Sequence, residues 1–265
     1  MKLFSVFFFC LLILISSCSS EDPKPKRQNC SLSSLEVKYD SEGEVFDETN
    51  NYPIMIDSEG KITQGYFWED QIVSFSYSPT EILATTKGKS VKYYLNDSNL
   101  IYRAELDQSG SLITLTFEYS EDEKLIRINN KSNNIEVKIG YENGNFTVFE
   151  SETPLEYSSD EPYINTMILK HTPFYFANTM VLASEIKGCN ILYGQGYFGK
   201  LPQNRIISLR INTGAQTYPA NKFYAFSYNF DENGKLTSVI DSHSFYSNGR
   251  NVTRIWEYNY SYQCE

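Results

Sequence analysis

Histidine is nearly missing from this chain: His171 and His243 are the two that occur in 265 residues. Neither has a sequence neighbour that suggests a nucleophile, so both read as packing or surface residues. No G-x-S-x-G elbow, H-E-x-x-H pair or phosphate loop occurs. There is no D-x-[DN]-x-[DN]-G loop for calcium, and the five cysteines fit no zinc ribbon or finger. No metal and no cofactor is therefore expected. Positive charge is scarce as well: 23 Lys and Arg face 33 Asp and Glu, a net charge of −10. That balance argues against nucleic acid and against electrostatic docking on anionic lipid. Long apolar runs are absent. The longest, Leu3–Ile15, covers 13 residues, short of the ~20 that a membrane-spanning helix needs.

That run does have the form of a secretory leader, with Met1-Lys2 before it and small residues after it. Ile15-Ser16-Ser17-Cys18 resembles the bacterial lipobox, which implies cleavage after residue 17 and lipidation of Cys18. Several acyl chains at ~0.8 kcal/mol per buried methylene hold a protein to a membrane without spanning it. Ser19-Ser20-Glu21-Asp22 resembles the surface-export signal of Bacteroidetes lipoproteins and implies the outer leaflet of the outer membrane, the periplasmic face being the alternative. Pro23 and Pro25 favour an extended tether over 18–28, and a single domain is expected over 29–265. Loss of the leader removes one charged residue, Lys2, and leaves a net charge of −11.

Cys30, Cys189 and Cys264 remain in the body of the chain. In an oxidising compartment they allow one disulfide and one free thiol. Spacing does not separate the three pairings; Cys189 with Cys264 is the one preferred here.

What the chain has in quantity is aromatic residues, 21 Tyr and 17 Phe, set in a period of two. Ile113, Leu115, Phe117 and Tyr119 alternate with polar residues, as do Tyr224, Phe226, Tyr228 and Phe230, and Trp256, Tyr258, Tyr260 and Tyr262. Alternation of this kind describes strands with one buried face. Asn143-Gly144, Asn233-Gly234 and Asn248-Gly249 suit tight hairpins, and Asp57–Lys61 and Asp231–Lys235 repeat a related corner. A loose repeat accompanies them: Phe75-Ser76-Tyr77, Phe117-Glu118-Tyr119 and Phe226-Ser227-Tyr228 each precede a polar turn and an aliphatic restart. The pattern predicts an all-β fold, a curved antiparallel meander. The stretch 154–204 is apolar without alternation and reads as a short helical or irregular insertion. Asn178 and Gly188 would bracket a helix over Thr179–Lys187, and Cys189–Tyr193 could form a strand.

Inside that insertion lies Tyr193-Gly194-Gln195-Gly196-Tyr197-Phe198-Gly199-Lys200, which matches G-x-G-x-x-G. A dinucleotide site needs this motif to open a helix and an acid ~20 residues later. Here Leu201-Pro202 and a strand pattern from Ile207 follow, and Tyr218, Pro219 and Ala220 stand where the acid should be. The glycines instead read as a loop that turns the chain.

The lipobox and acidic tail, the meander of "FEYSEDEKLIRI" and "FSYNFDENGKLTSV", and His171-Thr172-Pro173-Phe174 leading to Tyr197–Asn204 together resemble a Bacteroidetes lipoprotein family of unknown function described as having a porin-like fold. The resemblance implies an open or partly closed sheet and an envelope location; it carries no activity and no site residues. The function expected is a non-catalytic surface module binding a glycan, a peptide or a partner lipoprotein. Phe174, Tyr175, Tyr197 and Phe198, which stand off the alternating pattern, are the candidate contact surface. The alternatives are a glycan hydrolase using paired carboxylates, for which 33 acids offer many pairs, and a pore-forming barrel.

Overall fold

The computed structural model describes residues 30–41, 49–66, 71–108, 110–132, 134–148, 155–166, 171–175, 187–212, 221–247 and 250–264. The leader, Cys18, the tether and the Asn248-Gly249 turn lie outside them. So does 176–186, which holds all of the expected helix except Lys187. The chain divides into a terminal unit, Met1–Cys30 with Cys264–Glu265, and a body, Ser31–Gln263.

The first strands are β1 (Cys30–Ser41), β2 (Thr49–Pro53), β3 (Met55–Ile56), β4 (Ile62–Tyr66), β5 (Ile72–Tyr77) and β6 (Glu81–Thr86). Next come β7 (Lys89–Leu95), β8 (Ile101–Gln108), β9 (Ser111–Tyr119), β10 (Leu125–Asn130), β11 (Ile135–Glu142) and β12 (Asn145–Val148). After β13 (Leu155–Pro162) the chain forms helix α1 (Cys189–Gly194), then β14 (Asn204–Asn212), β15 (Asn221–Phe230), β16 (Leu236–Ser247) and β17 (Arg250–Cys264). The expected antiparallel meander is present as two ladders. Strands β3 to β12 form a ten-stranded sheet in unbroken chain order, and β13 to β17 followed by β1 and β2 form a seven-stranded one. The ladders do not join into one closed barrel. Ile54 carries the chain from β2, at the edge of one sheet, to β3, at the edge of the other, and its N–H donates to the Ser33 carbonyl at 2.9 Å.

The corners explain why the chain reverses where it does. Asp57, Asn96, Ser120 and Asp231 each open a corner whose fourth residue, Gly60, Asn99, Glu123 or Gly234, has φ between 60° and 82°. In all four, the opener's side-chain oxygen accepts the N–H four residues on, at 2.8 to 3.1 Å. The opener's own N–H donates to the carbonyl of that same residue at 2.9 Å. This is the three-residue hairpin that ends in a left-handed residue. It needs a short side-chain acceptor first and a left-handed residue fourth, a conformation that Gly and Asn take readily and that Glu123 takes at a cost of roughly 1–2 kcal/mol. Asn143-Gly144, at φ 49° and 77°, makes the tighter two-residue hairpin that its sequence predicts.

The Phe-x-Tyr repeat also has a physical cause. Tyr77, Tyr119 and Tyr228, at or near strand ends, donate their hydroxyls to the carbonyls of Ile62, Ile101 and Ile206 on the preceding strand, at 2.6 to 2.7 Å. Tyr141 and Tyr157 do the same to Leu125 and Phe146, at 3.2 and 2.9 Å. Each ring packs partly buried against the core while its hydroxyl ties the sheet margin, and burial raises the pKa of all five.

The core forms from the inward rows: Ile113, Leu115 and Phe117 of β9, Val137 and Ile139 of β11, and Tyr224 and Phe226 of β15 are all buried. At ~1.5–3 kcal/mol for each large apolar side chain, these rows supply the main stabilising contribution. Helix α1 corrects the reading of Cys189–Tyr193 as a strand. Residues 189 to 193 are all buried, and Gly188 opens the helix at φ 76° where it was expected to end one. Apart from Asn190, whose amide donates to the Tyr66 carbonyl at 3.4 Å, the helix is apolar on every side, and such a helix belongs inside. It sits close to the sheet because a glycine stands on each side of the contact: a Cβ on Gly65 of β4 would lie 2.7 Å from the Ile191 side chain, and one on Gly188, at the start of the helix, would strike the Phe75 ring of β5.

The preferred disulfide is corrected as well. Cys189 is a free thiol, wholly buried in α1, and burial raises its pKa. Cys264 is disulfide-bonded. Of the three cysteines beyond the tether that leaves Cys30, whose backbone belongs to the same terminal unit as Cys264.

Candidate functional site

The glycine-rich run is built from the end of α1. Tyr197 N–H donates to Leu192 O and Gly196 N–H to Tyr193 O, at 3.0 and 2.9 Å, with Gly196 at φ 85°. This pair of bonds closes a helix C-terminus with a left-handed glycine. The polarity is opposite to that of a phosphate cradle. Dinucleotide loops place the anion at a helix N-terminus, whereas here the first two glycines end a helix, whose carbonyl end carries partial negative charge.

Beyond the helix the run crosses the corners of the ten-stranded sheet one after another. Tyr197 O accepts from Ile101 N–H at 2.8 Å, just past the Asn96 corner. Lys200 N–H donates to Glu123 O at 2.9 Å, on the Ser120 corner. Gln203 N–H donates to Gly144 O at 3.1 Å, and Asn204 N–H to Asn145 Oδ1 at 2.8 Å, on the β11–β12 turn. The third glycine permits the closest of these approaches, since at φ 88° a Cβ on Gly199 would overlap the Glu123 carbonyl oxygen. The run is a strap across the sheet's end.

Where the strap begins, it and three corners enclose a half-open cleft of about 680 Å³, within the ~300–1,000 Å³ usual for small-molecule sites. The Asp57 corner contributes Glu59 and Lys61, and the end of β5 contributes Tyr77. The Asn96 corner contributes Ser98 and Asn99, and the strap contributes Gln195, Gly196 and Tyr197. Tyr77 and Tyr197 stack with centroids 6.0 Å apart and planes 27° from parallel. Tyr77 Oη donates its one proton to the Ile62 carbonyl at 2.7 Å, which fixes the ring, and Gln195 Oε1 lies 3.1 Å from the same oxygen as a competing acceptor. Lys61 Nζ pairs with Glu59 at 2.7 Å and lies 5.5 Å from the centroid of the Tyr77 ring. The bond to Glu59 raises the Lys61 pKa. Burial raises that of Tyr197, with Lys61 opposing. Ser98, Asn99 and the Gln195 amide nitrogen show no side-chain hydrogen bond to other described residues.

Of the candidate contact residues whose side chains are described, Tyr197 alone is placed on this cleft. Phe174 and Phe198 are corrected: both are wholly buried, 4.6 Å apart by centroid. Phe117 and Tyr93 pack edge-on to Phe198, at 5.1 and 6.1 Å. They leave the alternating pattern because they fill the interior beneath the strap. The Tyr175 side chain lies outside the described residues. His171 is buried, with Nδ1 2.7 Å from Thr166 Oγ1 and its ring against Phe226 at 4.4 Å. His243 is buried and stacked on Tyr224 at 4.3 Å. Among the described residues no three His, Cys, Asp or Glu come together as metal ligands, and no helix is long and apolar enough to cross a membrane. Sequence reading missed Tyr77, Lys61 and Gln195 as site residues. Lys61 carries the signal of the Asp57–Lys61 corner, Tyr77 that of the Phe-x-Tyr repeat and Gln195 that of the glycine-rich run, and all three read as turn and strand chemistry alone.

A family model described as a domain of unknown function (DUF4595) with porin-like fold matches residues 37–238. Among solved structures, a porin-like protein from Bacteroides uniformis matches at 19% identity and a TM-score of 0.62, over 88% of this chain and 98% of that one. At that identity the likeness shows the fold. No curated protein matches.

Proposed function

The chain belongs to the family of domains of unknown function with porin-like fold, and from that premise we propose that it is a lipid-anchored outer-membrane protein that binds a ligand non-catalytically. Cys18 is the anchor and the outer leaflet is the location, on the strength of the lipobox and the acidic residues after it. The observation that carries the binding reading is the cleft. A strap bonded through its backbone to successive turns of the sheet closes it, and it brings an aromatic pair beside Ser98, Asn99 and the Gln195 amide nitrogen, which show no side-chain hydrogen bond among the described residues.

The same geometry sets this reading apart from its rivals. The described lining includes one carboxylate, Glu59, tied to Lys61, whereas glycoside hydrolysis works through two. The interior between the strands is filled by α1, Phe174, Phe198 and Tyr93, which supports a packed core over a conducting lumen.

Two experiments test the proposal. Cys18→Ala should release the chain from membranes, and protease applied to intact cells should digest the native protein; full protection would defeat the surface assignment. For the cleft, Ser98→Trp fills the opening from an exposed corner position. Thermal melts of the mature chain and this variant are compared across saccharides, peptides, nucleosides and lipids. A ligand at ~100 times its Kd stabilises by about 2.7 kcal/mol, a rise of roughly 5–10 °C at this size. If no probe separates the native chain from Ser98→Trp, the binding reading fails.

A further inference from the structure

We infer that the cleft's ligand is a short uncharged oligosaccharide, an inference that rests on the binding reading above and narrows it to one chemical class. The lining decides which ligand groups can be satisfied there. Tyr197 and Tyr77 present apolar ring surface with a polar tip, which suits the C–H face of a sugar ring. Around them stand short polar groups of both kinds: the Ser98 hydroxyl, the Asn99 amide, the Gln195 amide nitrogen, and the Glu59–Lys61 pair as acceptor and donor. A polyhydroxylated ligand needs this mixture of donors and acceptors beside a flat apolar surface.

The other classes fit less well. An anionic ligand would meet one lysine, already neutralised by Glu59 at 2.7 Å, with Asp57 on the same corner. A cationic ligand would compete with Lys61 for that single carboxylate. An extended peptide binds by adding to a sheet edge, but the cleft is bordered by corners whose backbone groups are already bonded within the turns. A largely apolar ligand would desolvate the amides and the ion pair without replacing their hydrogen bonds.

The strap also accounts for a fixed binding geometry. Tyr197 is held through its own N–H and carbonyl to Leu192 and Ile101, so its ring is positioned by backbone bonds that survive replacement of the side chain. Replacement therefore tests the ring apart from the fold.

The experiment is calorimetric titration of the mature chain with short neutral hexose and pentose oligomers, with their sialylated and sulfated counterparts and a set of unstructured peptides run alongside. A neutral oligomer is expected to bind. Tyr197→Ala should weaken it roughly 10–100-fold, in keeping with an aromatic anchor at a binding site. Tyr197→Phe should change it less than ~3-fold, since the ring stays, and Ser98→Trp should abolish it, with the far-ultraviolet spectrum unchanged throughout. The ligand should be recovered intact. Binding of a neutral oligomer that Ser98→Trp leaves untouched would place the sugar elsewhere and overturn the inference. If peptides or anionic probes alone bind, and Ser98→Trp removes them, the saccharide is refuted while the cleft remains a binding site. If no probe binds, both readings fall.

Discussion

Gly199→Ala should separate two roles that a glycine-rich run can have. Gly196 and Gly199 share almost the same backbone, φ 85° and 88°, but their surroundings differ. A Cβ on Gly196 would meet nothing within 4 Å, whereas one on Gly199 would overlap the Glu123 carbonyl oxygen and lie 3.2 Å from the Tyr119 ring. The conformation alone costs an L-residue roughly 1–2 kcal/mol, and this is the whole effect expected of Gly196→Ala. At Gly199 the strap must also lift off the Ser120 corner. The Lys200 N–H to Glu123 bond goes with it, a further ~0.5–1.5 kcal/mol. The sum, about 1.5–3.5 kcal/mol, is a large part of the ~5–15 kcal/mol that holds most domains folded. At roughly 2–4 °C per kcal/mol for a chain of this size, the ~0.5–1.5 kcal/mol difference should put the Gly199→Ala melt about 1–6 °C below that of Gly196→Ala, and urea titration should rank them in the same order. Equal losses from the two substitutions would refute the strap as an element held by close approach.

The repeated tyrosines give a second expectation: Tyr119→Phe keeps the ring but strips the Ile101 carbonyl of a 2.6 Å bond, costing ~1–3 kcal/mol in urea unfolding. A loss within error of zero would show that the hydroxyl is incidental. Alkali should expose the same device. Tyr119, Tyr157 and Tyr228 keep their protons in the folded chain because they are buried, while the unfolded chain begins to lose them near pH ~10. The unfolded form then binds fewer protons, so stability is complete below pH ~10 and falls above it by up to about 1.4 kcal/mol per pH unit for each tyrosine. Tyrosinate absorbance should rise together with loss of the fold, and free titration of all the tyrosines in a folded chain would contradict this. Peptide mapping without reductant should join Cys264 to Cys30, and Cys189 should resist alkylation until the chain is denatured; a linked peptide containing Cys189 would overturn the assignment.

The strands and corners were legible in the sequence because both are local. Period-two burial needs only alternating side chains, and a corner needs an acceptor and a residue tolerant of positive φ three positions later. The antiparallel meander therefore follows from sequence, and so does the strand after the strap. The reading failed where burial depends on distant parts of the chain. Phe174 and Phe198 stand in irregular segments that looked exposed, but they lie against Phe117 and Tyr93 from the sheet. Cys189 looked available for a disulfide until α1 enclosed it.

The sequence by itself determined an all-β chain with its reversals in place, and it excluded a dinucleotide cradle from the absence of a following helix and acid. The tertiary structure alone decided what the glycines do: Gly196 ends α1, and Gly199 lets the backbone pass against Glu123, a residue 76 positions earlier. A cleft made by bringing Lys61, Tyr77, Asn99 and Tyr197 together depends on the order of strands in the sheet, and no local pattern encodes that order.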